Sequence, residues 1–217
     1  GGSHRLLFES GGNVYHRGAL ETQEREEYDV TGDTHRWTHT LVSRISKIRN
    51  LGLDKAWKQG FTHILICDSD LVLHPDLATH LASLRMPIVS EVFWSRWKPN
   101  ELWMPNVWDF HSYGYLSPTS VTRLREPSVY PVGGLGACTL IDCEVLKDKT
   151  IRYEPVTGLE NIWGEDRWCS IRASAAGVKL MADTALPPFH VYRTDQLEEA
   201  REWHAVGCPP GYFREVW

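Results

Sequence analysis

Asp68-Ser69-Asp70 follows the apolar, β-branched run THILIC (62–67) without a break. In an extended chain alternate side chains share a side, so Asp68 and Asp70 converge while Ser69 turns away. Two carboxylates that close repel each other unless a cation lies between them. Oxygen ligands of this kind suit a hard divalent ion, Mg²⁺ or Mn²⁺, and such ions commonly hold a diphosphate as well. A D-x-D triplet alone is a weak signal. Its weight comes from its place at the carboxyl end of a buried strand, where α/β sheets bind ligands.

Other chemistry-bearing residues are scattered along the chain. Glu165-Asp166 precede a helical run, where an acidic residue serves as an N-terminal cap. His190 follows the rigid pair Pro187-Pro188, and a histidine there is either a hydrogen-bonded core residue or a metal ligand. Gly133-Gly134-Leu135-Gly136-Ala137 lets either a ligand or a neighbouring strand approach the backbone closely. It is no phosphate loop, because G-x-x-x-x-G-K-[ST] does not occur. His35 and His39 have the i, i+4 spacing of zinc ligands but lack the glutamate of H-E-x-x-H, and read as a solvated helix face.

The elements that must position these residues follow from periodicity. Residues 5–9 (RLLFE) read as a short strand closed by Ser10-Gly11-Gly12, and the acidic stretch 21–33 as a solvated loop. Trp37, Leu41, Ile45, Ile48 and the cluster over 51–57 recur every three or four residues, predicting a helix capped by Thr34 and ended by Gly60. Strands are predicted over 62–67, 87–93, 134–142, 178–182 and 189–192, and helices over 76–84, 167–176 and 197–204. Residues 94–127 break into aromatics, prolines and polar residues and read as one long irregular excursion. Alternating strands and helices of these lengths predict an α/β sandwich with a mostly parallel sheet.

Three blocks together resemble glycosyltransferases of the GT-A fold, family 2 in particular. Arg49-Asn50-Leu51-Gly52-Leu53-Asp54-Lys55-Ala56 leads into Phe61-Thr62-His63-Ile64-Leu65-Ile66-Cys67-Asp68-Ser69-Asp70, like that family's R-N-x-G helix and D-x-D strand. Gly164-Glu165-Asp166 with Arg172 resembles its G-E-D segment, and His190 its histidine after the last strand. The likeness covers roughly residues 44–193, and three ordered blocks are more specific than any one.

The resemblance implies a GT-A (Rossmann-like) three-layer sandwich forming a single domain over 1–217; Gly1 to His4 read, from their residues alone, as a tag remnant. It implies a metal-dependent enzyme that moves a sugar from a nucleotide-diphosphate donor, UDP- ahead of GDP-linked, to an acceptor hydroxyl with inversion. Asp70, Asp68 and His190 would hold Mn²⁺ or Mg²⁺, with Asp68 also on the ribose or a metal-bound water. Asp166 would be the general base and Glu165 an orienting or acceptor-contacting residue. Arg49 would lie on the nucleotide side, with solvated helix charge as the alternative, and Gly134 would floor the donor sugar. The sequence departs from the family at its start: the usual first strand with its proline-threonine turn is missing or divergent, so no nucleobase contact is assigned.

Composition sets outer limits. The 217 residues carry a formal net charge of −5, which argues against charge-driven nucleic-acid binding, and no apolar run is long enough for a membrane span. Five cysteines without a C-x-x-C pair suit the reduced thiols of a cytoplasmic protein. Phe93, Trp94, Trp97, Trp103, Trp108, Phe110, Tyr113 and Tyr115 crowd the excursion; their faces could stack on sugar, though core packing accounts for most of the individual tryptophans. Arg96, Lys98 and Arg123 beside them would meet phosphate or water.

Two enzyme classes and one binding class remain. A non-catalytic nucleotide-sugar module would keep the fold without turnover. A haloacid-dehalogenase-type phosphatase would use Asp68 as nucleophile in D-x-D-x-[TV], but its later lysine and acid pair are not evident.

Overall fold

Thr38, not Thr34, starts the first long helix. Its hydroxyl accepts from the Leu41 amide at 3.2 Å, satisfying one of the amides left open in a first turn. The computed structural model describes residues 5–10, 14–19, 38–96, 98, 101–110, 117–148, 150–159 and 162–213. Residues 1–4, the acidic stretch 21–33, Thr34, His35, Trp37, Trp97, Tyr113 and Tyr115 lie outside the described residues.

A hairpin comes first, β1 (Arg5–Ser10) with β2 (Val14–Ala19), where the sequence predicted one strand. Then α1 (His39–Lys58) runs to Gly60, whose φ of 71° is the left-handed turn that ends a helix. β3 (His63–Cys67) and β4 (Leu71–Val72) flank the Asp68–Asp70 turn, and α2 (Leu77–Ser83) crosses to β5 (Ile88–Glu91). The excursion is more ordered than predicted. It holds β6 (Trp94–Ser95), β7 (Met104–Pro105), β8 (Val107–Trp108) and α3 (Pro118–Arg123), the last capped by the Ser117 hydroxyl. β9 (Val129–Pro131), β10 (Gly134–Leu135) and β11 (Cys138–Asp142) follow, then α4 (Glu165–Ala175), β12 (Met181–Asp183), β13 (Phe189–His190) and α5 (Leu197–Ala205).

The main sheet has the order β3-β11-β5-β12-β9, and it is mixed rather than mostly parallel. Only β5 and β12 pair in parallel within it; β11 runs antiparallel to both β3 and β5, and β9 antiparallel to β12. The α2 crossover makes β3 and β5 point the same way but leaves a one-strand gap, which β11 fills on its return from the excursion. All four residues of β5 are buried. Burial on both faces leaves no in/out alternation, and nothing in the pattern depends on which way the neighbours point, so direction was not legible.

Helices pack on both faces. Leu77 and Leu81 of α2 meet Val89, Phe93, Cys138 and Leu140 on one side of the sheet. On the other, Leu53 and Ala56 of α1 and Ala173 of α4 share a core with Ile64, Ile88 and Ile141. Alternation along β5 and β11 sorts Val89 and Leu140 from Ile88 and Ile141, as strand geometry requires. All five cysteines are free thiols.

Most of the excursion's described aromatics are structural. Phe93, Trp94 and Trp103 are buried, and Trp103 packs edge-on against Phe189 and Phe213. Phe110 alone among the described ones is exposed. The nearby cations are also engaged: Arg96 lies 4.6 Å over Trp103 and pairs with Glu199 at 2.7 Å, and Lys98 pairs with Glu101. Arg123 lies over Tyr130.

β8 lies antiparallel against β10, and this contact explains the glycines. A Cβ on Gly133 would collide with the Asp109 carbonyl, one on Gly136 would come within 2.7 Å of the Asn106 carbonyl, and one on Gly134 within 3.0 Å of the Trp108 ring. Neighbouring backbone cannot yield as a side-chain tip does, and overpacking costs about 1–3 kcal/mol. Gly133→Ala is therefore expected to lower the urea unfolding midpoint by an amount worth about 2 kcal/mol or more. An unchanged midpoint would show that the 106–109 ribbon is not held against β10.

Candidate functional site

The sheet ladder delivers the D-x-D turn to one edge. The Asp68 amide donates to the Ala137 carbonyl at 3.1 Å, one step past the Cys67–Cys138 register pair, and the chain then turns away from β11. β4 catches it by pairing antiparallel with β13, Leu71 opposite His190. The Val191 amide donates to the Asp70 carbonyl at 2.9 Å, so two segments 120 residues apart are locked side by side.

That pairing sets His190 beside Asp70. Nε2 of His190 lies 3.4 Å from Oδ2 of Asp70, and Nδ1 lies 2.8 Å from the Ser95 hydroxyl. His190 is buried, edge-on to both Phe93 and Tyr192, while Asp70 is partly open to solvent. With its proton on Nδ1, donated to Ser95, the ring would direct an Nε2 lone pair toward the carboxylate, and a cation between the two would complete the arrangement. Donor atoms sharing one ion at about 2.1 Å each in adjacent positions lie about 3 Å apart, so the spacing fits a cation.

Arg49 builds the other half. It is buried at 6 % exposure, its guanidinium donating to Asp68 Oδ1 at 2.7 Å and to Asp166 Oδ1, with Glu165 Oε1 3.1 Å away. Tyr153 covers its face at 5.2 Å. The neighbouring Asn50 pins the segment that supplies this tyrosine: its side-chain carbonyl accepts from the Tyr153 amide at 3.0 Å and its amide donates to Glu154. Arg49 and Asn50 thus act together in joining α1, the D-x-D turn, α4 and the 152–154 segment. Sequence reasoning named Arg49, on the nucleotide side, and carried Asn50 only as part of the R-N motif; it passed over Tyr153 and Ser95.

Glu165 and Asp166 form the first turn of α4 rather than preceding it, and Gly164, at φ 120°, takes the cap position. Neither residue takes the N-cap position, although the Glu165 carboxylate accepts from its own first-turn amide. Glu165 is 5 % exposed and faces Arg49; Asp166 is somewhat more open. A small apolar cavity of about 10 Å³, no larger than a single water, is lined by Leu135, Gly136, Thr139, Tyr153, Cys169 and Asp166.

Burial dominates the electrostatics. It pushes the Asp166 carboxyl well above the usual carboxylate range; Arg49 opposes this, and Glu165 and Asp68 reinforce it. Asp68 and Glu165 are raised as well, again by burial first, and Asp68 also feels Asp70 and His190. For Arg49, burial alone would lower the guanidinium, but Asp166, Asp68 and Glu165 hold it well above its ordinary value. The helix N-terminus, which favours carboxylate, is overcome at Asp166 by loss of water.

Asp68 links the halves, bonded to Arg49 on one side and close to Asp70 and His190 on the other. The crevice therefore gathers four carboxylates, one guanidinium and one imidazole. Gly134 stands apart: the room left by its missing side chain is taken by Trp108. His39, at the exposed start of α1, accepts from the Trp163 indole at 3.1 Å.

No family model and no curated protein matches the chain. Among solved structures it is similar to GalNAc-T7 crystallised with UDP, GalNAc and Mn²⁺, at a TM-score of 0.41 and 17% identity, over 69% of this chain. The chain spans 30% of that protein's length. So distant a likeness leaves function to be argued from the crevice itself. No helix among the described residues is long and apolar enough to cross a membrane.

Proposed function

We propose that the chain is a single glycosyltransferase domain that moves a sugar from a nucleotide-diphosphate donor to an acceptor hydroxyl, with inversion. The observation that carries this reading is the convergence of Asp68, Asp70, Glu165 and Asp166 on one edge of the sheet with Arg49 and His190. One guanidinium does not offset four carboxylates. A site of this charge balance takes up a divalent cation, and a diphosphate can share it.

Asp70 and His190 are the residues that would hold Mn²⁺ or Mg²⁺, with Asp68 turned to the ribose or to water on the ion. The bound ion would offset the charge that grows on the departing diphosphate. The chain's own groups do the rest. Arg49 occupies Oδ1 of Asp166, which leaves Oδ2 to take the proton of the acceptor hydroxyl. A carboxylate raised by burial is a stronger base than one in water, and a positioned base contributes about 10²–10⁴-fold. Glu165, facing inward, orients Arg49 rather than touching the acceptor. Gly134 serves as packing for the floor instead of meeting the sugar.

The donor is a UDP-sugar ahead of a GDP-sugar. Calorimetric titration of both sets, with Mn²⁺ and then with EDTA, tests the reading. Metal-dependent heat with one donor, followed by release of the free nucleoside diphosphate when acceptors are added, is expected. Binding without turnover across acceptors would leave a non-catalytic sugar-nucleotide module. Absence of any metal-dependent response would remove the proposal.

Ser95 gives a subtler check. Groups that orient a ligating histidine are worth about 10–100-fold in metal affinity. Ser95→Ala should weaken Mn²⁺ by that factor, and should lower the unfolding midpoint of the metal-free protein by an amount worth about 1–3 kcal/mol, since the buried Nδ1 of His190 loses its partner. An unchanged Mn²⁺ affinity would mean that His190 does not ligate.

A further inference from the structure

A second set of ligating side chains lies on the α2 face of the same sheet, away from Arg49. Parallel pairing of β5 with β12 sets Glu91 directly opposite Asp183, and His80 of α2 lies over both. Nε2 of His80 is 2.7 Å from Asp183 Oδ2, and one ligand atom from each of the three lies within 4.8 Å of the others. Like charges directly opposite on neighbouring strands are destabilising, and these two carboxylates are almost fully buried.

Hydrogen bonds from the chain only partly account for them. Asp183 Oδ2 also accepts from the Ala185 amide at 3.1 Å, and Glu91 Oε1 accepts from the Leu186 amide at 2.8 Å. Glu91 is 0 % exposed; among the described residues its Oε2 meets no N–H or O–H donor, and a side-chain hydrogen bond to Asp183 forms only when the two carboxyls share a proton. An ionised carboxylate oxygen without a donor is not tolerated in a dry interior unless a proton or a cation meets it. Burial, with Asp183 alongside, drives the Glu91 carboxyl well above its usual range, which is how the pair behaves with no ion present.

We propose that His80, Glu91 and Asp183 form a divalent transition-metal site, distinct from the Asp70–His190 crevice, that staples α2 to the carboxyl ends of β5 and β12. One nitrogen and two carboxylate oxygens suit Zn²⁺ first and Mn²⁺ next. Tetrahedral ligands at about 2.1 Å each stand roughly 3.4 Å apart, so the three groups, within 4.8 Å of one another, would reach the ion by small side-chain rotations, His80 and Asp183 parting from 2.7 Å to admit it. His80 is half-buried, so its side gives the ion a way in from solvent. The ion would displace the proton between His80 and Asp183 and give Glu91 Oε2 its partner. The chemistry does not depend on the glycosyltransferase proposal, and the Asp70→Asn background in the test serves only to clear any ion bound in the crevice.

Equilibrium dialysis of the full chain against Zn²⁺ or Mn²⁺, with bound metal counted by mass spectrometry, decides it. Asp70→Asn removes the crevice's own ion and should leave about one equivalent of Zn²⁺ per chain. On that background, Glu91→Gln and, separately, His80→Gln should weaken the remaining ion by at least tenfold. Glu91→Gln is nearly isosteric, and His80 is partly exposed at the margin of the helix face that meets the sheet, so a fold failure in one does not spoil the other. Two results overturn the site. One is an Asp70→Asn chain that binds no Zn²⁺, in which case Glu91 and Asp183 share a proton. The other is metal retained at full strength in both double variants.

Discussion

Asp166→Asn is expected to cut sugar transfer by about 10²–10⁴-fold while leaving donor and Mn²⁺ affinity unchanged. Asparagine keeps an oxygen for Arg49 but has no basic oxygen for the acceptor's proton. The same change should raise the stability of the metal-free protein. Burial holds the Asp166 carboxyl above its unfolded value, so the folded state grips the proton more tightly than the unfolded one. That contribution is fully present below the ordinary carboxylate range and is lost as pH climbs through the elevated value. In EDTA, the advantage of the asparagine variant should therefore be small in acid and grow toward neutrality. Urea midpoints across that span, measured beside initial rates, separate the two effects. Loss of donor binding together with transfer would make Asp166 a structural residue.

Arg49→Met should be the most destabilising single change in the crevice. It removes the one cation that Asp68, Glu165 and Asp166 share and leaves them buried together. Breaking a buried pair from one side costs about 3–5 kcal/mol. The deficit should shrink in mild acid, because protonation does to the stranded carboxylates what the guanidinium did. The double variant Arg49→Met with Asp166→Asn should recover part of the loss, since one fewer charge is stranded. Arg49→Lys keeps the charge but lacks the planar fork that reaches several oxygens at once, so it should fall between. Equal midpoints for wild type and Arg49→Met at neutral pH would contradict the clamp.

The parts of this account legible beforehand share a physical basis in local pattern. Leu53 and Ala56 of α1 declare a helix by their spacing, Ile64 and Ile66 a buried strand, and the acidic pair after Gly164 a helix start. The D-x-D turn could be placed at a strand end for the same reason. What stayed hidden depends on partners far away in the chain. Arg49 meets a carboxylate 117 residues on, and nothing near it distinguishes a clamp from a surface charge. Strand direction was equally closed to inspection, because β5 is covered on both faces and any neighbour would satisfy its pattern. The glycines at 133–136 announced a close approach correctly, but only the coordinates show that the approaching group is the 106–109 ribbon. His80, Glu91 and Asp183 belong to no motif at all; only the register of β5 on β12 brings them together.

A crystal grown with UDP and Mn²⁺, with data collected at an energy where manganese scatters anomalously, tests the central claim most directly. The account expects an anomalous peak about 2.0–2.3 Å from Asp70 and from His190 Nε2, with the diphosphate on the same ion and Asp166 Oδ2 facing the open side. UDP bound elsewhere on the molecule, or a crevice without the ion while UDP is present, would contradict it.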